Sequence, residues 1–351
     1  MDIKQLLQYT IDKKASDLHL IVGVPPTIRV DGKLLALTEQ GVLTAELISN
    51  LLRGVLTTEQ IERLSVNKEI DLSLAFSEKA RFRVNVYNQK GSLAGAFRAI
   101  PLEIPQLDSL NLPKILHSFT AVNQGLVLVT GPTGHGKSTT LAAMLNEINI
   151  NRSTHIITIE DPIEFVFKPQ KSVISQREMH NDTHSWPTAL RSVLREDPDV
   201  VLVGEMRDYE TMAATLTVAE TGHLVFATLH TNSAAQTIDR IVDVFPEEQQ
   251  KQIRLQLSNV LEAVFSMRLL PAITGGRVPA YEIMTATTAI KTAIREGKTH
   301  QIDSIIQTSG EASMNTLDAV LASLVRQGKI TLDTAQAHSL HLEELNRLIR
   351  R

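Results

Sequence analysis

The stretch Gly131-Pro-Thr-Gly-His-Gly-Lys-Ser-Thr-Thr140 lies between an apolar run, Gly125-Leu-Val-Leu-Val-Thr130, and a helix-like stretch from Leu141 to Ile148. It satisfies the pattern G-x-x-x-x-G-K-[ST] in full. In that pattern the glycines let backbone N–H groups converge on phosphate oxygens, Lys137 supplies a point charge to the β and γ groups, and the Ser138 hydroxyl can ligate Mg²⁺. A chain built on this loop needs a strand before it and a helix after it, which commits the surrounding fold to α/β layers. His135 occupies a free position of the pattern, so it is expected to face solvent and is given no chemistry.

A nucleoside triphosphatase needs acids beside its phosphate loop as well as a cradle. Asp197-Pro-Asp-Val-Val-Leu-Val-Gly-Glu205 reads as an apolar strand leading to an acid, which places Glu205 at the carboxyl edge of a sheet. Gly204 stands where many such enzymes carry a metal-binding aspartate, so Glu205 is a candidate for Mg²⁺, for water, or for both. Ile156-Ile-Thr-Ile-Glu160 ends in a second acid at the same kind of edge, where open α/β sheets bind ligands. A third strand leads through Phe226-Ala-Thr-Leu to His230, placed to read a γ-phosphate by hydrogen bonding.

At 351 residues the chain has room for two cores. Residues 1–100 read as mixed α and β, with helical spacing over Asp2 to Lys14 and near Glu46 to Leu64. The strands there are Asp17 to Val22, Thr27 to Val30, Asp71 to Phe76, Arg81 to Tyr87 and Leu93 to Ile100, with a hairpin turn over Val30-Asp-Gly-Lys33. Pro101, Pro105 and Pro113 crowd residues 101–113, expected to be a linker. Residues 114–351 alternate short apolar strands (Leu126 to Val129, His155 to Ile159, Val200 to Val203, Leu224 to Ala227) with helices, the mark of a mainly parallel sheet. From about Thr285 the chain reads as helical to its end.

There is no cysteine, which excludes disulfides, thiolate zinc sites and cysteine nucleophiles. The N-terminus lacks an apolar core of signal-peptide length and no run reaches membrane-span length, so a cytoplasmic protein without a transmembrane segment is expected. A net charge of −4 gives no basic surface for nucleic acid as a whole.

Four segments, "GPTGHGKSTT", "ITIEDPIEF", "REDPDVVLVGEMRD" and "ETGHLVFATLHTNSA", resemble in order and spacing the Walker A, Asp box, Walker B and His box of the secretion ATPases that drive type II secretion and type IV pili. "ASDLHL", "RFRVNVY" and "AIREGKTHQI" extend the resemblance over essentially the whole chain, and within that family it points to the pilus retraction ATPases. The resemblance implies a homohexamer whose subunits each carry a PAS-like N-terminal domain and a RecA-like P-loop motor, hydrolysing ATP with Mg²⁺ at subunit interfaces. It implies nucleotide contacts at Gly131, Pro132, Thr133, Gly134, His135, Gly136, Lys137, Ser138 and Thr139, a catalytic glutamate pair at Glu160 and Glu205, and His230 as the γ-phosphate reader. The family's arginines that reach a neighbour's nucleotide would match the first-domain positions Arg81, Arg83 or Arg98. The implied partner is an inner-membrane pilus platform protein, which puts the motor at the inner face of the cell membrane.

The family's phosphate loop usually has serine where this chain has His135, and its AIRNLIRE motif, tied to retraction rather than hydrolysis, becomes Ala289-Ile-Lys-Thr-Ala-Ile-Arg295-Glu296. Pilus assembly and secretion ATPases commonly carry a four-cysteine zinc element and an extra N-terminal domain. Here Met267 to Gly276 runs on without cysteine and the chain starts almost at the first domain, so retraction is the expectation, with assembly or type II secretion as the alternative. A nucleic-acid motor would want a basic track with aromatic stacking positions, against 4% aromatic residues and one tryptophan, Trp186. An ATP-binding regulator without hydrolysis would have no need of both acids.

Overall fold

The computed structural model describes residues 2–30, 32–77, 80–100, 103–310 and 313–350; Asp31 of the expected hairpin turn and Pro101 of the expected linker lie outside the described residues. The chain divides into two compact units, Met1–Glu103 with Pro162–Val166, and Ile104–Asp161 with Phe167–Arg351.

In the first unit, strong alternation makes half-buried strands: β1 (Asp17–Leu20), β2 (Thr27–Val30), β3 (Lys33–Ala36), β4 (Glu69–Ser77), β5 (Ala80–Gln89) and β6 (Ser92–Ile100). They form one antiparallel sheet in the order β3-β2-β1-β6-β5-β4. Phe82, Val84 and Val86 of β5 are buried with Leu7 and Leu52 from the helices Ile3–Asp12 and Ala45–Arg53. The stretch read as helical near Glu46 to Leu64 is two helices, because Gly54 ends the first and Thr57 opens Thr58–Asn67 with a capping box. The opposite sheet face carries charge. Arg29, Asp17, Arg98, Arg83 and Ser73 stand directly opposite one another across five strands.

The second unit contains β7 (Gly125–Thr130), β8 (His155–Glu160), β9 (Val173–Glu178), β10 (Val200–Val203), β11 (Leu224–Leu229), β12 (Leu261–Pro271) and β13 (Arg277–Thr285). Their order is β13-β12-β7-β11-β10-β8-β9, parallel from β12 to β9 with β13 antiparallel at one edge. Every residue of β7, β10 and β11 is buried, as expected for strands covered on both faces, and the α/β class read from the sequence is the class found.

The strands β9, β12 and β13 had no counterpart in the sequence reading. β12 follows helix Glu247–Val260 with no glycine or proline between them, Leu261 being both helix C-cap and first strand residue. A smaller core, with Leu270 and Ala280 from the hairpin β12–β13, holds the helices Leu317–Arg326, Leu332–His338 and Leu342–Arg350. Ahead of β7, a 3₁₀ turn at Leu107–Leu110 buries Leu107. There His117 bonds both Asp108, at 3.0 Å, and Glu147 of helix Lys137–Asn151, at 2.7 Å.

Candidate functional site

Because β7, β11, β10 and β8 are parallel neighbours, their carboxyl ends open on one edge of the sheet. Thr130 leads into the phosphate loop, Leu229 into His230, Val203 into Gly204 and Glu205, and β8 ends on Glu160 itself. The loop then opens helix Lys137–Asn151 from Gly136, in the left-handed conformation at φ 93°, with no side chain capping the helix start. The first-turn N–H groups and the positive end of the helix dipole are thus left for an anion. Lys137 is buried and donates to the carbonyls of Gly131 at 2.7 Å and Pro132 at 3.0 Å.

The loop's outer wall is β12. A Cβ on Gly131, at φ 138°, would sit 2.2 Å from the Met267 carbonyl oxygen, whereas one on Gly134 would meet nothing within 4 Å. Thr140 donates to the Met267 sulfur, and Arg277 donates to the Gly134 carbonyl at 3.1 Å. His135 departs from expectation: it does not simply face solvent, because its Nδ1 accepts the Leu269 N–H at 2.9 Å and the ring is half-buried. Burial, then the positive surroundings of His338, Arg268, Arg277 and Lys137, push its pKa down, so the ring is neutral and free to accept. A serine at 135 would not reach as a ring does.

Glu205 and His230 come together. The Glu205 carboxylate takes Arg207 at 2.7 Å on one oxygen and His230 Nε2 at 3.1 Å on the other, while His230 Nδ1 faces the Thr133 hydroxyl at 3.5 Å. Burial pushes the Glu205 carboxyl up, but the Arg207 hydrogen bond and charge, with His230, outweigh it and hold the carboxyl below the usual range. Arg207 carries no role in the motif pattern of the sequence. The signal for it was its spacing, since residues two apart on an extended chain face the same side. Glu160 is buried, its carboxylate accepting from Thr158 at 2.7 Å and Gln176 at 3.2 Å. Between the two acids, a Cβ at Gly204 would press within 3.1 Å of the Ile159 carbonyl and 3.3 Å of the Glu160 Cα, so an aspartate fits poorly there.

Of Arg81, Arg83 and Arg98, Arg98 bonds Asp17 at 2.9 Å, Arg81 bonds Ser73, and Arg83 is exposed. Among the described residues no helix is long and apolar enough to cross a membrane, and no group of three or more His, Cys, Asp or Glu side chains is arranged to hold a metal.

A buried parallel strand feeding a glycine loop and an uncapped helix, with an acid and a histidine on neighbouring strand ends, defines a P-loop nucleotide-binding protein. The match runs further than this class. The chain belongs to the type II/IV secretion system protein family, whose model matches residues 1–275. It is 48% identical over 336 residues to the type IV pilus retractation ATPase PilT of Pseudomonas aeruginosa, covering 96% of this chain and 97% of that protein. It is 48% identical over 345 residues to a twitching motility protein of Neisseria gonorrhoeae, covering 98% and 92%. A crystal structure of the pilus retraction motor PilT with bound ADP superposes with a TM-score of 0.93 at 48% identity, covering 99% of each chain.

Proposed function

We propose that this chain is an ATP-hydrolysing motor subunit that assembles as a homohexamer and powers retraction of type IV pili, and with it twitching motility. The reading rests on one observation above others: the Glu205 carboxylate is gripped by Arg207 and His230, and His230 in turn faces Thr133 of the phosphate loop.

ATP is held by the loop N–H groups and by Lys137. The site suits a magnesium triphosphate, because the Ser138 hydroxyl lies in the first turn of an uncapped helix and has no protein partner among the described residues. Ser138, with Glu205, would hold Mg²⁺, which supplies charge neutralisation on the β and γ phosphates when bound. Glu205, kept ionised, orients and polarises the attacking water, with Glu160 as the second acid of the pair. His230 reads the γ-phosphate and reports its loss to Glu205 and Thr133. Arg81, Arg83 or Arg98 offsets the charge that develops on a neighbouring subunit's nucleotide, so activity depends on assembly. The force is delivered to an inner-membrane pilus platform protein from the cytoplasmic side.

Steady phosphate release measured on the assembled protein, with Lys137→Ala and Glu205→Gln as comparison variants, tests the chemistry. Both substitutions are expected to abolish turnover, and wild-type turnover in either overturns the assigned roles. Specific activity is expected to fall on dilution to monomers. Deleting the gene in its host separates the outputs: surplus pili mean retraction, and missing pili mean assembly.

A further inference from the structure

Glu282, in the middle of β13, is 3% exposed and has no place in the chemistry above. A buried carboxylate is costly unless something holds it. Here it is held by two helix starts. It accepts the Ala234 N–H at 2.6 Å and the Leu317 N–H, the first residues of helices Ala234–Asp243 and Leu317–Arg326. In both helices the N-cap side chain, Ser233 or Thr316, already takes a later N–H, so Glu282 adds a second acceptor where the helix dipole favours negative charge.

The first of these helices begins four positions after His230, and the intervening loop is fastened to it. The Thr231 and Thr237 hydroxyls bond at 2.6 Å, the Asn232 N–H donates to Gln236 at 2.7 Å, and Thr237 donates to the Ser233 carbonyl at 2.7 Å. Wherever the first turn of helix Ala234–Asp243 sits, the His230 loop follows. Glu282 also belongs to a rank across the sheet, Glu282, Ser266, Thr130 and Leu229, each opposite the next, with the Thr130 and Ser266 hydroxyls bonded at 2.7 Å. Thr130 and Leu229 are the residues that lead into the phosphate loop and into His230.

We infer that Glu282 is a positioning residue, which by bridging the Ala234 and Leu317 N–H groups sets the His230 loop against the phosphate loop and ties it to the C-terminal helices. The inference rests on the reading of His230 as the γ-phosphate reader. Burial pushes the Glu282 carboxyl up to about 7 against the pull of its two N–H donors, and the acids Asp303 and Asp318 push in the same direction as burial.

The test is a double-mutant cycle of Glu282→Gln and His230→Ala in the full-length assembled protein, read as kcat and KM for ATP and as ADP affinity. Gln keeps the shape but replaces one acceptor oxygen with a donor group. At about pH 8, where a carboxyl with a pKa of about 7 is mostly ionised, loss of a charge-assisted hydrogen bond predicts about a tenfold fall in kcat, with KM and ADP affinity within about twofold of wild type. The double variant is expected to match His230→Ala within about twofold. Amide exchange at Ala234 and Leu317 should quicken in Glu282→Gln.

If His230→Ala keeps wild-type kcat, the γ-phosphate reading falls and the inference with it. If His230→Ala is slow but Glu282→Gln is not, or if the two losses multiply, only the inference falls. Should the Gln variant fail to fold, Glu282→Asp, which keeps the charge but is one methylene too short to reach both N–H groups, is read in the same cycle with the same outcomes.

Discussion

Replacing Gly131 by alanine puts a methyl carbon 2.2 Å from the Met267 carbonyl oxygen, about 1 Å inside van der Waals contact. Two costs arise together. A non-glycine residue at φ 138° pays about 1–3 kcal/mol in backbone strain. Relief of the overlap requires β12 to move, and β12 is paired on both sides, by β7 and by β13, so overpacking adds about 1–3 kcal/mol. Gly134→Ala is the internal control. It also has positive φ, at 78°, but its added methyl meets open space, so only a conformational cost of about 1–2 kcal/mol applies. For a unit of this size each kcal/mol moves the melting midpoint by about 2–4 °C, so the expected losses are on the order of 10 °C for Gly131→Ala and about 3 °C for Gly134→Ala. Calorimetry on the two variants, with ADP binding measured in parallel, gives the answer. Two midpoints within about 2 °C of each other would refute the claim that β12 forms a rigid wall against the loop.

Arg207→Ala removes the main influence holding the Glu205 carboxyl down, so the acid limb of the kcat/KM profile should move to higher pH while ADP affinity stays unchanged; an unmoved limb dismisses the clamp. At His117 burial acts against the charged ring, but Glu147 and Asp108 outweigh it and raise its pKa. A raised histidine stabilises fully below its unfolded pKa and loses that contribution as pH rises through the folded pKa, so wild type should lose more melting temperature than His117→Gln between about pH 6 and 8. His135→Ser strips the acceptor from the Leu269 N–H and should cost about 1–3 kcal/mol in thermal stability with kcat largely kept, a balance that reverses if His135 has a chemical role.

The strands that carry the site were legible because each is a short apolar run bounded by loop residues. β7 runs into glycine, β10 follows Asp197-Pro-Asp, and β11 follows Thr221-Gly222. β12 was hidden because strand and helix meet without punctuation at Leu261, and β9 because its sequence, VISQRE, is mostly polar at a sheet edge. A motif fixes residue types at its named positions and says nothing of what a free position meets. His135 finds its partner at Leu269, far along the chain, which only the pairing of β12 with β7 brings near. Arg207 and Glu282 were open to a closer reading, the first from its spacing to Glu205 and the second as a lone acid inside the apolar sequence YEIM.

The hairpin β12–β13 lies against the phosphate loop at Gly131, Gly134, His135 and Gly136, through residues given no part in the chemistry above. Its bend, Ala272 to Gly276, is fastened to the C-terminal helices where the Ile273 N–H meets the Lys329 carbonyl at 2.9 Å. Selection acting on that bend can retune how fast spent nucleotide leaves while every group that handles phosphate stays as it is, so variants with altered speed and intact chemistry belong there.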